Sequence, residues 1–394
     1  MILRDSTEQI EFVTCISAQT TYIPTMAIDL IPNAPTVNRV VVAMSGGVDS
    51  STTAALMVEA GYEVIGVTLK LYDSGGGIER KGACCAGKDI VDARRVAEKL
   101  KIPHYVLDYE SRFRDEVIDD FAESYLRGET PIPCVRCNQT VKFRDLLATA
   151  KDLDAEALVT GHYVRRVEGL AGPELHRGAD LTKDQSYFLF ATTRPQLSYL
   201  WFPLGSMEKA ETRYHAERFQ LPVSDKPDSQ DICFVSNGDY AQLLGKLRPN
   251  SWEPGDIVDV NGKRLGGHRG IVHFTIGQRR GLGVAVGEPL YVIHIDPPSR
   301  QVVVGPKEYL KWQSCVITDV NWLVEPRKLS ENYDVQVKIR SSAPLLTARL
   351  AVMDEKRWRV TFSEPTSATS PGQAVVIYKA ERMLGGGWIT RDET

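Results

Sequence analysis

The chain has 394 residues, of which 43% are hydrophobic and 25% are charged, a composition typical of a globular protein with two or three domains. Its 47 basic and 51 acidic side chains give a formal net charge of −4, so binding to a nucleic acid would have to use local basic patches. No apolar run approaches the roughly 18 residues of a membrane helix, and the N-terminus carries no secretory signal.

Regular secondary structure is predicted only after residue 36. Residues 1–36 have scattered prolines and weak periodicity, so we expect a loosely ordered extension, with Met26 as an alternative start. From Arg39 onward, apolar runs alternate with segments of helical spacing. The predicted strands are 39–44, 62–69, 102–107 and 157–160, and the predicted helices are 50–60, 89–100 and 111–127. This alternation predicts an α/β fold with a doubly wound parallel sheet, which binds ligands at the carboxyl ends of its strands.

The alternation ends near residue 205. Residues 206–283 form short, mixed segments rich in glycine and basic residues. From about residue 284 the pattern turns to short strands, predicted at 290–295, 301–304, 333–340, 346–352, 358–362 and 374–378. Many short strands separated by turn residues favour a small barrel or sandwich.

The strongest motif is a loop between the first predicted strand and the first predicted helix, Ser45-Gly46-Gly47-Val48-Asp49-Ser50. The glycines allow a tight turn and a close approach to an anion, and the helix N-terminus offers free N–H groups. The loop matches neither G-x-x-x-x-G-K-[ST] nor G-x-G-x-x-G. A simple polar turn is the alternative, because serine, glycine and aspartate are common in turns, but the flanking strand and helix favour phosphate binding.

This hexapeptide resembles the S-G-G-x-D-S loop of the PP-loop ATP pyrophosphatases. In that group, ATP is cleaved between its α and β phosphates and the substrate becomes adenylylated. The resemblance implies ATP with Mg²⁺, and it implies that Asp49 helps to hold the metal ion on the phosphates.

The chain has seven cysteines, an odd number, which favours reduced thiols in the cytoplasm over a secreted disulfide framework. Cys134 and Cys137 follow a proline-rich loop and precede a helix that we predict to begin near Thr140. We expect this helix N-terminus and Arg136 to lower the pKa of Cys137. Cys233 lies in a distant motif. Two such thiols suit sulfur chemistry, in which one carries a persulfide and the other helps to release the sulfur by forming a disulfide.

Other interpretations of the cysteines stay open. A single cysteine is more often a small buried hydrophobe, and we assign that role to Cys15 and Cys315. The adjacent Cys84 and Cys85 are expected to be mostly structural. The remaining alternative is an iron–sulfur cluster with one open iron, [4Fe-4S], held by Cys134, Cys137 and Cys233.

The chain resembles the tRNA-specific 2-thiouridylase family (MnmA type) from about residue 39 to residue 390. The motifs that carry the resemblance are Ala43–Ser50, Thr130–Pro133, Cys137–Asn138, Val141–Phe143, Thr160–Tyr163, Lys183–Phe188, Ile232–Phe234, Thr275–Gly283, Pro371–Gln373 and Leu384–Gly387. The resemblance implies a PP-loop ATP-binding catalytic domain at 37–205, a central tRNA-binding domain at 206–283 whose Cys233 returns to the active site, and a C-terminal β-barrel at 284–394. It implies an ATP-dependent sulfurtransferase that adenylylates C2 of the wobble uridine and replaces its oxygen with sulfur.

The resemblance also implies roles for individual residues. Cys137 would be the nucleophile and Cys233 the persulfide carrier, and the two would form a disulfide in turn. The Pro133 loop would touch the target base. The residues implied to contact ATP are Ala43, Met44, Ser45, Gly46, Gly47, Val48, Asp49, Ser50, Leu69 and Gly161. The residues implied to contact tRNA are His162, Lys183, Asp184, Gln185, Arg340 and Gln373.

The implied partners are tRNAs for lysine, glutamate and glutamine, and a sulfur donor such as a cysteine desulfurase or a relay protein. Two positions depart from the family pattern. Cys134 stands where an aspartate is frequent, which strengthens the cluster alternative, and Leu69 replaces a frequent methionine. Several basic patches could contact the RNA, and we favour Arg279–Arg280 because glycines flank it in a loop.

Two other functional classes are weaker. Amidating ligases of nucleotide or NAD synthesis use a similar loop, but they need an ammonia source and no paired thiols. A non-catalytic RNA-binding module would leave the Ser45–Ser50 loop and the two thiols without a purpose, and a nucleotide-binding assay would separate it from an enzyme.

Overall fold

The computed structural model describes residues 38–72, 86–228, 232–235, 240–249, 252–284, 287–325 and 333–390. All of them fall within one unit, 35–394. The predicted extension 1–36, with Cys15, and the Cys84–Cys85 pair lie outside the described residues.

Strands and helices alternate through the first half of the chain, as the sequence predicted. The first strands are β1 (Arg39–Ala43), β2 (Glu63–Lys70), β3 (His104–Asp108), β4 (Ala157–Val159), β5 (Val164–Gly169), β6 (Gly172–Arg177) and β7 (Leu200–Trp201). The helices are α1 (Val48–Glu59), α2 (Ala86–Leu100), α3 (Glu110–Phe113), α4 (Asp119–Leu126), α5 (Pro133–Cys137), α6 (Leu146–Asp152), α7 (Arg194–Tyr199), α8 (Lys209–Arg218) and α9 (Tyr240–Leu247), with π-helical segments at Arg114–Ile118 and Asn138–Asp145. Within the described ranges, none of the helices has the length and apolar character that a membrane span needs.

A parallel sheet forms the core of this half, with the strand order β3-β2-β1-β4-β7. The side chains of Val40, Val41 and Val42 on β1 have no exposed surface, as expected for a strand that is covered on both faces. The order of the strands reverses between β1 and β4, and sheets of this kind bind ligands at the carboxyl ends of their strands at such a point. The predicted doubly wound sheet is therefore confirmed.

The helix that carries the paired cysteines begins earlier than predicted. It starts with α5 at Pro133 and continues through the π-helical segment into α6, so the predicted start near Thr140 is wrong. Pro133 occupies the first turn, where its missing N–H costs nothing. Cys134 and Cys137 thus lie inside the helix and not in the loop before it.

The second half of the chain is β. Its strands are β8 (Gly255–Asp259), β9 (Arg264–His268), β10 (Tyr291–Asp296), β11 (Gln301–Gly305), β12 (Lys311–Trp322), β13 (Tyr333–Lys338), β14 (Leu346–Val352), β15 (Trp358–Ser367), β16 (Ala374–Lys379) and β17 (Arg382–Ile389). Four of these strands form a sheet of order β10-β11-β8-β9, which spans the predicted boundary at residue 283.

The last strands close into a barrel, which confirms the expected C-terminal fold. They pair in the order β12-β15-β14-β13-β16-β17, and β12 also pairs with β17. Its interior is apolar, since Val337, Val360 and Ile377 have no exposed surface. The β5–β6 hairpin pairs with β17 and so attaches the barrel to the parallel-sheet region.

Candidate active site

The loop between β1 and α1 leaves the start of the helix open. The N-cap residue is Gly47, and no side chain caps the helix. The backbone N–H of Ser45 donates to Ser50 Oγ at 3.1 Å, and this hydroxyl donates to the Gly47 carbonyl at 3.3 Å. The hydroxyl groups thus hold the curled loop, while the free N–H groups of the first helical turn are suited to an anion.

Two glycines are required where backbones approach closely. Gly46 has φ +72°, and an added Cβ would overlap the Asp89 carbonyl. Gly161 follows β4, and a Cβ there would lie 3.0 Å from the carbonyl carbon of Asp49 and 3.0 Å from the backbone nitrogen of Ser50. The predicted residues after β1 and β4 therefore meet at the point where the strand order reverses.

Asp49 in the first turn of α1 is held by two groups from other elements. Its Oδ1 atom accepts a hydrogen bond from Lys209 Nζ at 2.6 Å and from Tyr163 Oη at 2.9 Å. Burial and then the charge of Asp49 raise the pKa of Tyr163 far above its usual range. Tyr163 is therefore a permanent hydrogen-bond donor to the carboxylate.

Three basic side chains surround the carboxylate of Asp228, which lies next to the ion pair of Asp49 with Lys209. Its carboxylate lies 3.0 Å from Lys209, 2.7 Å from Arg213 and 2.8 Å from Lys183. Burial by itself would raise the pKa of Asp228, but the hydrogen bonds from Lys183 and Lys209 lower it to about 2. Lys209 thus connects Asp49 at the start of α1 with Asp228, five residues before Cys233.

Lys226 makes a second connection to the loop. Its Nζ atom donates to the Gly46 carbonyl at 2.9 Å and to the carboxylates of Asp89 and Asp92, each at 2.7 Å. The sequence analysis missed both Lys209 and Lys226. The only available signal for Lys226 was its position just before Asp228, where the cysteine motif begins.

Cys137 lies in an apolar cluster, and burial there raises the pKa of its thiol, whereas the sequence predicted a lowered pKa. The residue is 7% exposed and shares a core with Phe113, Phe121 and Val141. Burial raises the pKa of its thiol, and the positive charge of Lys142 opposes this effect only in part. The predicted lowering of the pKa by Arg136 and the helix start is therefore wrong, because desolvation is the larger effect.

Cys233 is brought to this cluster by its neighbour Phe234. The Phe234 ring packs edge-on against Phe113 and Phe121, with centroids 5.6 and 5.3 Å apart. The Cys233 carbonyl accepts a hydrogen bond from Tyr72 Oη at 2.9 Å. Cys233 is exposed as a residue, but desolvation by nearby protein atoms raises the pKa of its thiol to about 12, with further contributions from Cys137 and Cys134. The two predicted thiols therefore share one site.

The three thiols do not form a ready cluster site. In the part of the chain that the structure describes, no group of three or more His, Cys, Asp or Glu side chains is arranged to hold a metal ion. Cys137 is buried, whereas Cys134 and Cys233 are exposed. The [4Fe-4S] alternative thus receives no support from the geometry.

The barrel holds the loop in front of α5. The Thr130 backbone N–H donates to the Pro371 carbonyl at 2.8 Å, and Gln373 Nε2 donates to the Thr130 carbonyl at 2.8 Å. Gly372 has φ +84°, and a Cβ there would lie 3.1 Å from Glu129. Of the predicted tRNA contacts on the barrel, Gln373 thus helps to position this loop, and Arg340 is an exposed residue that donates to the Ala368 carbonyl at 2.7 Å.

The other predicted tRNA contacts lie in different environments. His162 packs between Phe143 and Phe202, and burial, followed by the charge of Lys142, lowers its pKa to about 3, so it is neutral. The Asp184 side chain is 1% exposed and accepts from Ser186, so a direct contact of this carboxylate with RNA is not supported.

Lys183 and Gln185 flank this buried aspartate. The Lys183 side chain is 38% exposed beside Asp228, so it can meet a partner. Gln185 Oε1 accepts from the Tyr163 backbone at 2.9 Å and so supports the residue that holds Asp49. Leu69 lies near the end of β2, partly buried against two apolar cores, at the edge where the loops after β1 and β4 meet.

Family models match most of the chain. A model described as the tRNA methyl transferase HUP domain matches residues 38–237, one described as the tRNA methyl transferase PRC-barrel domain matches 242–306, and one described as the aminomethyltransferase beta-barrel domain matches 312–389.

Curated proteins are similar over nearly their whole length. The tRNA-specific 2-thiouridylase MnmA of Rickettsia bellii (strain OSU 85-389) is 59% identical over 355 residues, which cover 90% of this chain and 97% of that protein. The protein of the same name from Rhodospirillum centenum is 59% identical over 368 residues, which cover 91% and 93%. A solved 4-thiouridine synthetase–RNA complex with bound ATP has a TM-score of 0.35 and 16% identity, covering 54% of this chain and 51% of that chain, a likeness too low to support an argument.

Replacing Gly46 with alanine is expected to destabilise the fold. A non-glycine residue at this φ costs about 1–2 kcal/mol, and the overlap with the Asp89 carbonyl adds to that cost, so we expect Gly46→Ala to lower the free energy of unfolding by about 2 kcal/mol or more in a denaturant titration. Gly87→Ala is the matched control, because nothing lies within 4 Å of an added Cβ there, and it should cause little or no loss. Equal stability of Gly46→Ala and the parent protein would contradict the strained geometry.

The high pKa of Cys233 predicts slow alkylation. Because only the thiolate reacts, iodoacetamide should modify Cys233 at pH 8 at least about tenfold more slowly in the folded protein than in the guanidine-unfolded protein. The folded-state rate should still rise above pH 10, where an ordinary thiol with a pKa of about 8.5 has levelled off. Peptide mass spectrometry measures the rate for each cysteine, and a plateau near pH 9 in the folded protein would be inconsistent with a buried thiol.

Proposed function

The chain belongs to the tRNA-specific 2-thiouridylase family, and from this premise we propose that it replaces the C2 oxygen of the wobble uridine in tRNA with sulfur while ATP is converted to AMP and diphosphate. The observation that carries the proposal is that the segment before Cys233 is bound to the open N-terminus of α1, by Lys226 directly and by Asp228 through Lys209. Cys233 in turn lies beside Cys137. We assign phosphate binding to the helix N-terminus and sulfur transfer to the two thiols.

ATP binds at the carboxyl ends of β1 and β4. The backbone N–H groups of the loop after β1 contact the phosphates, and Gly161 lets the neighbouring loop approach them. Leu69 makes an apolar contact with adenine. The residues assigned to ATP are Ala43, Met44, Ser45, Gly46, Gly47, Val48, Asp49, Ser50, Leu69 and Gly161.

Asp49 fits a magnesium ion. Its Oδ1 atom takes the hydrogen bonds from Lys209 and Tyr163, and among the described residues its Oδ2 atom accepts none. Magnesium at nucleotide sites takes one or two carboxylates besides phosphate oxygens and water. When bound, the ion neutralises phosphate charge. Lys209, 2.6 Å from the same carboxylate, adds a fixed cation on the side of Asp228.

Adenylylation solves the problem of the leaving group. The uridine O2 atom attacks the α-phosphate of ATP and diphosphate leaves, so that C2 then carries AMP as its leaving group. The base reaches this site because an anticodon loop is single-stranded and its bases can be splayed out at low cost. The loop at Thr130–Pro133, which the barrel holds in place, lies beside Cys137 and contacts the base.

Sulfur transfer uses the two thiols in sequence. The terminal sulfur of a Cys233 persulfide attacks C2 and AMP leaves, which joins the base to Cys233 through two sulfurs. Cys137, as thiolate, attacks the Cys233 sulfur, and the thiocarbonyl base leaves. The product pair is a Cys137–Cys233 disulfide, which a dithiol reductant returns to two thiols with two electrons. A cysteine desulfurase or a relay protein supplies the persulfide sulfur.

The bound RNA extends beyond the base. Exposed Arg279 and Arg280 have no ion-pair partner among the described residues, whereas Arg165, Arg264 and Arg357 are paired with carboxylates. Lys183, Gln185, His162, Arg340 and Gln373 lie on or support the same RNA path. The substrates are the tRNAs for lysine, glutamate and glutamine, and the reaction takes place in the cytoplasm.

Cysteine variants separate the two halves of the reaction. Cys137→Ser and Cys233→Ser should each abolish repeated thiolation of a tRNA transcript, because neither can complete the disulfide step. Diphosphate release from ATP and tRNA should persist at a rate within about tenfold of the parent, because adenylylation precedes sulfur transfer and the phosphate loop is intact. Sulfur in the tRNA is measured by retardation in a mercury-containing gel and diphosphate by thin-layer chromatography.

The buried Cys315→Ser in the barrel is the control and should thiolate normally if it folds; its melting temperature is measured alongside. Many turnovers by either active-site variant would refute the assigned roles.

The Arg279–Arg280 pair should contribute to RNA affinity through phosphate contacts. The double variant Arg279→Ala/Arg280→Ala should weaken tRNA binding for all sequences, and the slope of log affinity against log salt should fall in magnitude by about 0.7–0.9 per lost contact. Arg349→Ala is the control, because that side chain is paired with Asp334 on the barrel surface. An unchanged slope in a filter-binding titration would exclude this loop from the RNA path.

A further inference from the structure

One short stretch of chain contacts both the nucleotide loop and the sulfur-carrying cysteine. Lys226 binds the β1–α1 loop, Asp228 binds Lys209, which also binds Asp49, and Cys233 follows Asp228 by five residues. Five residues span at most about 18 Å when fully extended. Cys233 therefore lies within about this distance of Asp228, so the position of the stretch at the loop limits where Cys233 can be.

The near end of the stretch is fixed at several points. Lys226 Nζ binds the Gly46 carbonyl at 2.9 Å and both Asp89 and Asp92 at 2.7 Å. Its side chain is 19% exposed, and Asp92 is 12% exposed. Arg213 also donates to the backbone carbonyl of Lys226 at 3.3 Å. An ammonium group that meets three acceptors in a mostly buried site has a defined position.

The end of the stretch at Cys233 is held by other contacts. The Phe234 ring packs edge-on against two aromatic rings, and the Cys233 carbonyl accepts a hydrogen bond from Tyr72. These contacts hold Cys233 and Phe234 against the aromatic cluster and involve no residue of the β1–α1 loop. Among the described residues of this stretch, Lys226 contacts that loop directly and Asp228 reaches α1 through Lys209.

We propose that Lys226 is a positioning residue that sets the distance between the adenylylated base and the persulfide on Cys233 by binding the Gly46 carbonyl and the acidic start of α2. The inference rests on the proposed thiolation. AMP held by the loop fixes C2 of the base, and Lys226 ties the sulfur-carrying stretch to that same loop. Loss of the Lys226 contacts lowers the effective concentration of the persulfide at C2. Water then hydrolyses a larger share of the adenylylated base, which releases AMP without forming 2-thiouridine.

The test measures coupling and not activity alone. The protein is loaded with sodium polysulfide, freed of excess reagent, and assayed for bound persulfide by cyanolysis. It is then mixed with tRNA transcript, Mg²⁺ and labelled ATP in a single turnover, and 2-thiouridine and AMP are measured together. Lys226→Met should lower the ratio of 2-thiouridine to AMP at least about tenfold, because small misplacements of reacting groups carry losses of this size. A purely structural defect would lower both products and leave their ratio unchanged.

Matched variants complete the design. Lys226→Arg keeps the charge and should restore most of the ratio. Lys307→Met removes an exposed lysine from the β11–β12 connection and should match the parent. If Lys226→Met does not fold, Asp92→Asn removes one of its two carboxylate partners and should lower the ratio by a smaller factor.

The outcomes distinguish the two proposals. If the parent protein makes no 2-thiouridine from the loaded persulfide, the proposed function fails. If the parent couples the two products and Lys226→Met or Asp92→Asn folds and keeps the parental ratio, the thiolation stands and the role of Lys226 is overturned.

Discussion

The ion pairs among Asp49, Lys209 and Asp228 are the interaction on which the rest of the site depends. Lys209 lies 2.6 Å from Asp49 and 3.0 Å from Asp228, and its side chain is only 12% exposed. A partly buried charge that loses its partner is costly, so these groups hold each other in place. Asp49 lies at the start of α1, where we propose that phosphates bind, and Asp228 lies five residues before Cys233. One network therefore connects the β1–α1 loop with the segment that precedes Cys233, and the proposed reaction, which brings an activated base and a sulfur atom together, needs both.

The barrel contributes to the same geometry from the opposite side. Its turn at Pro371–Gln373 forms two hydrogen bonds with Thr130, and Gly372 allows the backbones to meet. Tyr187 adds a contact in which its hydroxyl donates to the Ala374 carbonyl at 3.1 Å. The loop before α5 is consequently held by the barrel on one side and continues into α5 on the other, which suits the role that we propose for it in presenting a base to Cys137. In this proposal the C-terminal barrel supports the active site as well as binding RNA.

The sequence predicted the parts of the structure whose signals are local. Strands β1 to β4 of the parallel sheet, the loop after β1 and the placement of Cys137 and Cys233 at one site followed from apolar runs, glycine placement and family motifs. β12 and β17 were missed because polar residues interrupt the alternation in the first and Gly385–Gly387 remove side chains from the second. The prediction of a lowered pKa for Cys137 was wrong for a related reason. The helix start and Arg136 are visible in the sequence, but the phenylalanines that bury the thiol come from helices that are distant along the chain. Lys209 and Lys226 could not be distinguished from ordinary surface lysines, because their carboxylate partners are far away along the chain.

The raised pKa values of Cys137 and Cys233 bear on the order of steps in the proposed reaction. Burial raises the pKa of Cys137 and of Cys233, so the resting pair is protonated and is a poor nucleophile and a poor target for oxidants. In the proposed reaction the nucleophile is the terminal sulfur of a persulfide on Cys233, so the sulfur-loaded protein is the form that attacks the activated base. Cys137 has to lose its proton only after transfer, and Lys142 is the cation whose charge opposes the effect of burial at both thiols. Protonation of the empty pair disfavours disulfide formation before sulfur arrives, because the thiolate is the form that reacts.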